Sequence, residues 1–272
     1  MKTLYQAIEA HAGAQAPALL LHLGACEITN WDDLTKAHLS DLRDHLLESV
    51  APSSCKTYLA VFKAILTRYE DEVTLPKGWR EMMKSKGDKP VKTFLSMAEL
   101  ELLEGVKVKN ESEQKVLDEF LISAYTGMRI SDTREVTREN IIDGTLSYVA
   151  IKTGVHASLP MKKGIIERIE RARGTEELPL STYNRTIRRL CKRAGLTQSV
   201  KVRHGGKDEV KEKWECVSSH TARISFVSNL AALGVPIIEI SKMAGHTSTG
   251  MTERYIANGA IQVSSKAMAF FN

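Results

Sequence analysis

The positions in this chain that could do chemistry are cations, imidazoles and one phenol set in apolar helical contexts. Arg129 lies in Thr126-Gly-Met-Arg-Ile-Ser-Asp132, and His220-Thr-Ala-Arg223, Gly245-His246 and Tyr255 follow in the C-terminal half. Each alone has an ordinary explanation: an ion-pair partner, a hydrogen-bonded structural histidine, a core tyrosine. The histidines at 11, 22, 38, 45, 156, 204, 220 and 246 do not cluster with carboxylates at ligand spacing, so metal catalysis is not indicated. No glycine-rich loop suited to cradling phosphate is present either. A second group is purely cationic. Arg185, Arg188, Arg189, Lys192 and Arg193 fall within nine residues with no acid among them, at spacings of three and four that share one helical face. Solvated faces usually mix glutamate with lysine, so this one reads better as a phosphate contact.

The elements that must carry these residues follow from patterning. At 272 residues the chain is long enough for two domains, and 43% apolar with 26% charged residues excludes a mainly disordered protein. No window approaches the length of a membrane span, and the N-terminus lacks the charged-then-apolar order of a secretory signal, so a cytoplasmic location is expected. Cys26, Cys55, Cys191 and Cys216 have no C-x-x-C spacing and read as reduced thiols. The net charge of +5 is uneven: residues 1–90 carry −1 and residues 91–272 carry +6. Apolar residues recur at helical intervals from Leu34 to Tyr69, broken by Ala51-Pro-Ser-Ser, which predicts two helices joined by a short turn. Residues 84–93, rich in lysine with Gly87 and Pro90 and almost no apolar content, have the composition of a hinge.

Beyond the hinge, Ser96 and Glu99 form a capping-box pattern that starts a helix. Val116 to Tyr125 is a second helical face, ended by Gly127. Gly144 opens a turn, and Leu146–Ile151 and Val155–Met161 around Gly154 predict a hairpin or small meander. Val200 and Val202, then Val210, Trp214 and Val217, suggest another extended pair around Gly205-Gly206. Helices resume from Ser218.

In combination the chemical positions are more telling. SHTARISFVSNLAALGVPIIEISKMAGHTSTGMTERYIA resembles, over its whole length, the second box of the tyrosine recombinase (phage integrase) family: H-x-x-R, a helix, G-H, then a tyrosine. AYTGMRISDTREVTRENI resembles the family's first box, and IKTGVHASLP its lysine-bearing strand turn. The resemblance runs from about residue 91 to about residue 260. It implies a catalytic set of Arg129, Lys152, His220, Arg223, His246 and Tyr255, with no metal and no cofactor. The implied fold is mainly α with a small β-sheet. An α+β catalytic domain with a C-terminal tail (89–272) is joined by a linker to a helical core-site DNA-binding domain (1–88), the two forming a C-shaped clamp around DNA. For the first 88 residues the similarity is one of size and position. Residues 203–217 depart from the pattern by lengthening the approach to His220.

The implied activity is site-specific recombination through a 3′-phosphotyrosyl intermediate and a Holliday junction. The implied partners are double-stranded DNA recombination sites and further copies of the chain, four protomers on two sites, with room for accessory directionality proteins and no membrane. The setting would be nucleoid-associated, in a bacterial, phage or mobile-element context. Physical chemistry supports this reading. Transfer of a phosphodiester to a protein hydroxyl needs a nucleophile, charge stabilisation and a proton donor. Only about one phenol in a thousand is ionised at pH 7, so Tyr255 needs a base or a strongly positive setting. Arg129 and Arg223 offer planar forks that can hold non-bridging oxygens without a metal. His220 or His246 can exchange the remaining protons; the sequence does not say which does which. Lys152, in the hairpin turn, is preferred as general acid over Lys162, Lys163 and Lys207. Two alternatives stand beside it: a type IB topoisomerase-like enzyme that shares this chemistry without exchanging partners, and a DNA-binding protein without catalysis. The apolar tail residues Ala267, Met268, Phe270 and Phe271 are expected to dock into a neighbouring protomer.

Overall fold

The computed structural model describes residues 2–85, 92–174, 176–204 and 207–256. Most of the expected hinge, the Gly205-Gly206 turn and the apolar tail lie outside these residues. Contacts divide the chain into two compact units, residues 1–90 with 203–209 and residues 91–202 with 210–272.

The first unit is helical: α1 (Leu4–His11), α2 (Ala16–Ala25), α3 (Lys36–Ser49), α4 (Pro52–Arg68) and the short α5 (Trp79–Met82). A reciprocal capping box between Thr3 and Gln6 starts α1, and the Thr35 hydroxyl accepts from the His38 N–H to start α3. Pro52 opens α4, where its missing N–H is harmless, so the predicted turn after Val50 is realised as the Ala51 junction. The apolar stripes of these helices, including Leu23, Leu42, Leu46 and Phe62, close into one core.

The second unit is mixed. It contains α6 (Met97–Glu104), α7 (Glu111–Thr126), α8 (Ile130–Glu135), strands β1 (Ile141–Ile142), β2 (Thr145–Val149) and β3 (His156–Pro160), then α9 (Ile165–Arg173) and α10 (Leu180–Arg193). The antiparallel pair β4 (Ser199–His204) and β5 (Lys207–Glu212), of which residues 203–209 belong to the first unit, precedes α11 (Ser219–Ala232), α12 (Ile237–Met243) and α13 (Thr249–Tyr255). The architecture is thus mainly helical with small antiparallel sheets, as expected. Among the described residues no helix is long and apolar enough to cross a membrane.

The central α7 begins at Glu111, earlier than its apolar face indicates. Its first turns bury charged residues whose partners come from elsewhere: Glu113 pairs with Arg193 at 2.7 Å, and Asp118 with Arg168 at 2.8 Å and Arg171 at 2.6 Å. The sheet runs β1-β2-β3, all antiparallel. Asp143 and Gly144, both with positive φ, make the two-residue turn between β1 and β2. Alternation along β2 and β3 turns Leu146, Tyr148, Ala157 and Leu159 inward and their neighbours outward. Trp214 and Val217 do not extend the second hairpin. A 3₁₀ turn over Lys213–Cys216 ends it, with the Trp214 N–H donating to the Leu196 carbonyl at 3.0 Å.

Candidate functional site

Arg129 is placed by the end of α7. Gly127 adopts φ +72°, a left-handed conformation that favours glycine, and a Cβ there would lie 2.5 Å from the Phe226 ring. The chain can therefore turn sharply into α8, with Arg129 as its N-cap. Asp132 fixes this turn. Its carboxylate accepts from the Arg129 backbone N–H at 3.4 Å, lies 3.9 Å from Arg129 Nη1, and accepts from the Ile151 N–H at 3.0 Å. One buried acid thereby joins the arginine-bearing turn to the turn that carries Lys152. Sequence reasoning assigned Asp132 no role, although its place three residues after Arg129 was visible.

Arg223 projects from the first turns of α11 and is completely buried. Its Nη1 donates to the Gly127 carbonyl at 2.6 Å, while Nε and Nη2 have no hydrogen-bond partner in the protein. The same holds for Arg129 Nη1. A buried, unpaired guanidinium N–H is costly, and such groups are rare in native proteins unless something charged belongs beside them. Burial and the charge of Arg129 lower the Arg223 pKa. Tyr148, on β2, brings its buried hydroxyl next to Arg223. Burial pushes its phenol up to about 12, with Arg223 pulling it back, Asp132 adding to the rise and Arg129 opposing it.

Tyr255 ends α13, and the Ser228 hydroxyl donates to its backbone carbonyl at 3.4 Å. Its ring lies between two imidazoles, 5.1 Å from that of His220 and 4.7 Å from that of His246, with the Arg223 guanidinium 5.5 Å from its centroid. His246 is buried. Its Nδ1 is 2.9 Å from the Thr252 hydroxyl and its Nε2 is unpartnered. Desolvation, followed by Arg223 and Arg129, lowers its pKa to about 3, so the ring stays neutral at physiological pH. Gly245, at φ +63°, sets the preceding backbone close against Ala150 and Ala157 of the sheet region. The His220 pKa is lowered too, first by desolvation and then by Arg223, Lys92, Arg129 and Lys152.

Lys152 sits in the turn between β2 and β3, where the N–H groups of Thr153 and Gly154 both return to the Ala150 carbonyl and Gly154 takes φ +65°. Arg129, Lys152, His220, Arg223 and Tyr255 line one cleft with Ser131, Ser219 and Met251, and His246 packs against the Tyr255 ring. All six predicted positions are therefore together. Lys162 is occupied elsewhere, 3.7 Å over the Tyr125 ring and 3.5 Å from Glu104. The Lys207 side chain lies outside what is described.

The basic face of α10 is more engaged than the sequence suggested. Arg193 forms its ion pair with Glu113 and donates to the Lys107 carbonyl, and Arg188 donates to the Val217 carbonyl at 2.9 Å. Lys192 lies 4.7 Å over the Trp214 ring. Arg185 and Arg189 are exposed and reach the hydroxyls of Thr182 and Thr186 on their own helix. None of the five is among the residues lining the cleft. Among the described residues no group of three or more His, Cys, Asp or Glu could hold a metal ion.

A family model described as the phage integrase family matches residues 93–260. No curated protein matches the sequence. Solved structures do. The Tn1549 transposon integrase in complex with a circular intermediate DNA superposes with a TM-score of 0.71 at 14% identity, covering 100% of this chain and 99% of that one. A lambda integrase dimer bound to a COC′ core site gives 0.68 at 14% identity, covering 97% and 99%. XerH site-specific recombinase bound to a palindromic difH substrate gives 0.63 at 12% identity, covering 94% and 75%. At such identities the likeness is one of fold.

Proposed function

Since the chain belongs to the phage integrase family, the tyrosine recombinases, we propose that it is a site-specific DNA recombinase that cuts and rejoins DNA through a 3′-phosphotyrosyl intermediate and a Holliday junction. The observation that carries this reading is the buried Arg223, whose Nε and Nη2 meet no acceptor at hydrogen-bond geometry, beside Arg129, whose Nη1 has only the long 3.9 Å approach to Asp132, in the cleft that Tyr255 also lines. Two guanidinium forks meeting a phenol are suited to an anion with several oxygens that becomes more charged at the transition state.

In the proposed step the Tyr255 Oη attacks phosphorus, an O–P bond forms and the bond to the 5′ oxygen breaks. The phenol proton passes to His220. His246 is a poor acceptor for it, because its buried ring, with a pKa of about 3, resists a proton; what it can do is hydrogen-bond. The basicity of His220 is held down by Arg223, Lys92, Arg129 and Lys152, cations whose field a bound phosphate would offset, so substrate itself restores the base. Lys152 protonates the departing 5′ oxygen. Attack of another strand's 5′ hydroxyl on the phosphotyrosine reverses these transfers and completes exchange without an external energy source.

The helical unit at residues 1–88 would grip the core site, closing a clamp around the duplex with the catalytic unit. The exposed Arg185, Arg189 and Lys192 would contact phosphates outside the cleft, with Arg188 and Arg193 shaping the same face. Four protomers on two sites would complete the assembly. The test is incubation with DNA from the flanks of the protein's own gene. Recombinant junctions and a covalent adduct that survives denaturing electrophoresis are expected, with Tyr255→Phe binding the same DNA and forming no adduct. Relaxation of supercoiled DNA without junctions would favour the topoisomerase-like alternative, and an adduct with Tyr255→Phe would overturn the assignment.

A further inference from the structure

Lys92 lies outside both family boxes, yet its ammonium is 4.7 Å from the centroid of the Tyr255 ring. Its placement is built. Three residues on, both backbone groups of Leu95 are taken by side chains of α11: the N–H donates to the Ser225 hydroxyl at 2.9 Å, and the carbonyl accepts from the Asn229 amide at 2.9 Å. Ser225 and Asn229 are buried, and Leu95 is fully so. The helix that presents His220 and Arg223 therefore also anchors the segment that presents Lys92.

We propose that Lys92 is a positioning residue for the nucleophile, holding the Tyr255 ring through a cation–π contact and adding fixed positive charge that favours the phenolate during attack. The inference rests on the strand-transfer reading above. The ring's surroundings leave this role open. His220 and Arg223 face it from α11, His246 from the turn before α13, and Arg129 and Lys152 line the same cleft. Of these, Arg129 and Arg223 are suited to the phosphate and Lys152 to the leaving oxygen, whereas Lys92 is not among the cleft-lining residues and meets the ring itself. Its ammonium is partly desolvated and feels Arg254, both of which lower its pKa. A desolvated cation over an aromatic face interacts more strongly than a hydrated one.

The test measures single-turnover adduct formation on flank DNA at saturating protein for the parent, Lys92→Met and Lys92→Arg, at about pH 8, where the lowered pKa of His220 leaves that base neutral with or without Lys92. Lys92→Met should lower the rate by about tenfold. Lys92→Arg, which keeps the cation, should restore most of it. DNA affinity should be unchanged in both. A Lys92→Met rate equal to the parent's, a Lys92→Arg rate no better than that of Lys92→Met, or a loss that follows weakened DNA binding would overturn the proposal while leaving the recombinase reading standing. No adduct with the parent would overturn both.

Discussion

Nη1 of the buried Arg223 donates a 2.6 Å hydrogen bond to the carbonyl of Gly127, so the glycine that ends α7 also orients a guanidinium presented by α11. Two elements distant in sequence are thereby held in one geometry, and the rest of the Arg223 fork is aimed by that single bond. The Phe226 ring fills the space where a Gly127 side chain would be.

Gly127→Ala should therefore be damaging on two counts. The left-handed φ is strained for alanine, and the new methyl must displace the Phe226 ring from the space it fills. A loss of about 2 kcal/mol or more is expected, read as a lower denaturation midpoint at unchanged slope. A change within about 0.5 kcal/mol would mean that the turn is looser than its contacts indicate.

Arg223→Lys keeps a charge and loses the fork. A lysine could satisfy the Gly127 carbonyl or approach a phosphate oxygen, but it lacks the planar geometry that does both at once. Adduct formation should fall by about 10²-fold or more, the scale of removing one preorganised donor from a transition state. Single-turnover cleavage at saturating protein separates this from weaker DNA binding. A rate within a few-fold of the parent would make Arg223 a structural tie.

What could be read from sequence here depends on how far each partner lies. Arg129, His220, Arg223, His246 and Tyr255 were legible because they sit at helix ends whose glycines and caps are local signals, and because their order is distinctive. Lys152 was legible from the turn residues Thr153 and Gly154. Asp132 was not: an acid three residues into a helix reads as an ordinary capping partner, and its second bond, to the Ile151 N–H, comes from a strand turn that sequence cannot bring near. The intramolecular contacts of the α10 face were hidden for the same reason. Its cations have no acid beside them in sequence, yet Glu113 arrives from α7 to meet Arg193. Lys92 was passed over as hinge composition, since its contact with Tyr255 exists only once α11 has captured Leu95.

The buried His246 gives folding a pH dependence whose sign follows from its lowered pKa. Between about 3, its folded value, and the ordinary 6.5, the unfolded chain binds a proton that the folded protein does not. Stability therefore rises with pH through that window, by at most about 1.4 kcal/mol per pH unit for this group, and is lost as pH falls toward the folded value. His246→Gln should flatten that part of the curve relative to the parent when unfolding is measured from pH 4 to pH 7. The lowered His220 acts in the same direction, so the variant retains part of the slope. Parallel curves for parent and variant would mean that His246 titrates alike in the folded and unfolded chains.

The final prediction concerns Lys152, whose side chain is exposed in the cleft at a turn held by the paired N–H bonds to the Ala150 carbonyl and tied through Ile151 to Asp132. An exposed lysine in a hairpin turn is often merely solvated, so its role needs a chemical test. A leaving alkoxide has a pKa close to that of bulk water, about 15.7, and departs slowly unless protonated. A thiol in the same position, with a pKa around 8.5, departs as the anion. Replacing the bridging 5′ oxygen by sulfur should therefore rescue cleavage by Lys152→Ala while doing little for Arg129→Ala, whose defect lies in stabilising charge on the non-bridging oxygens. The comparison is made as the ratio of sulfur to oxygen cleavage rates in each variant, which cancels effects on binding and folding. A ratio for Lys152→Ala no larger than that of the parent, or a rescue confined to Lys207→Ala, would remove Lys152 from the role of general acid.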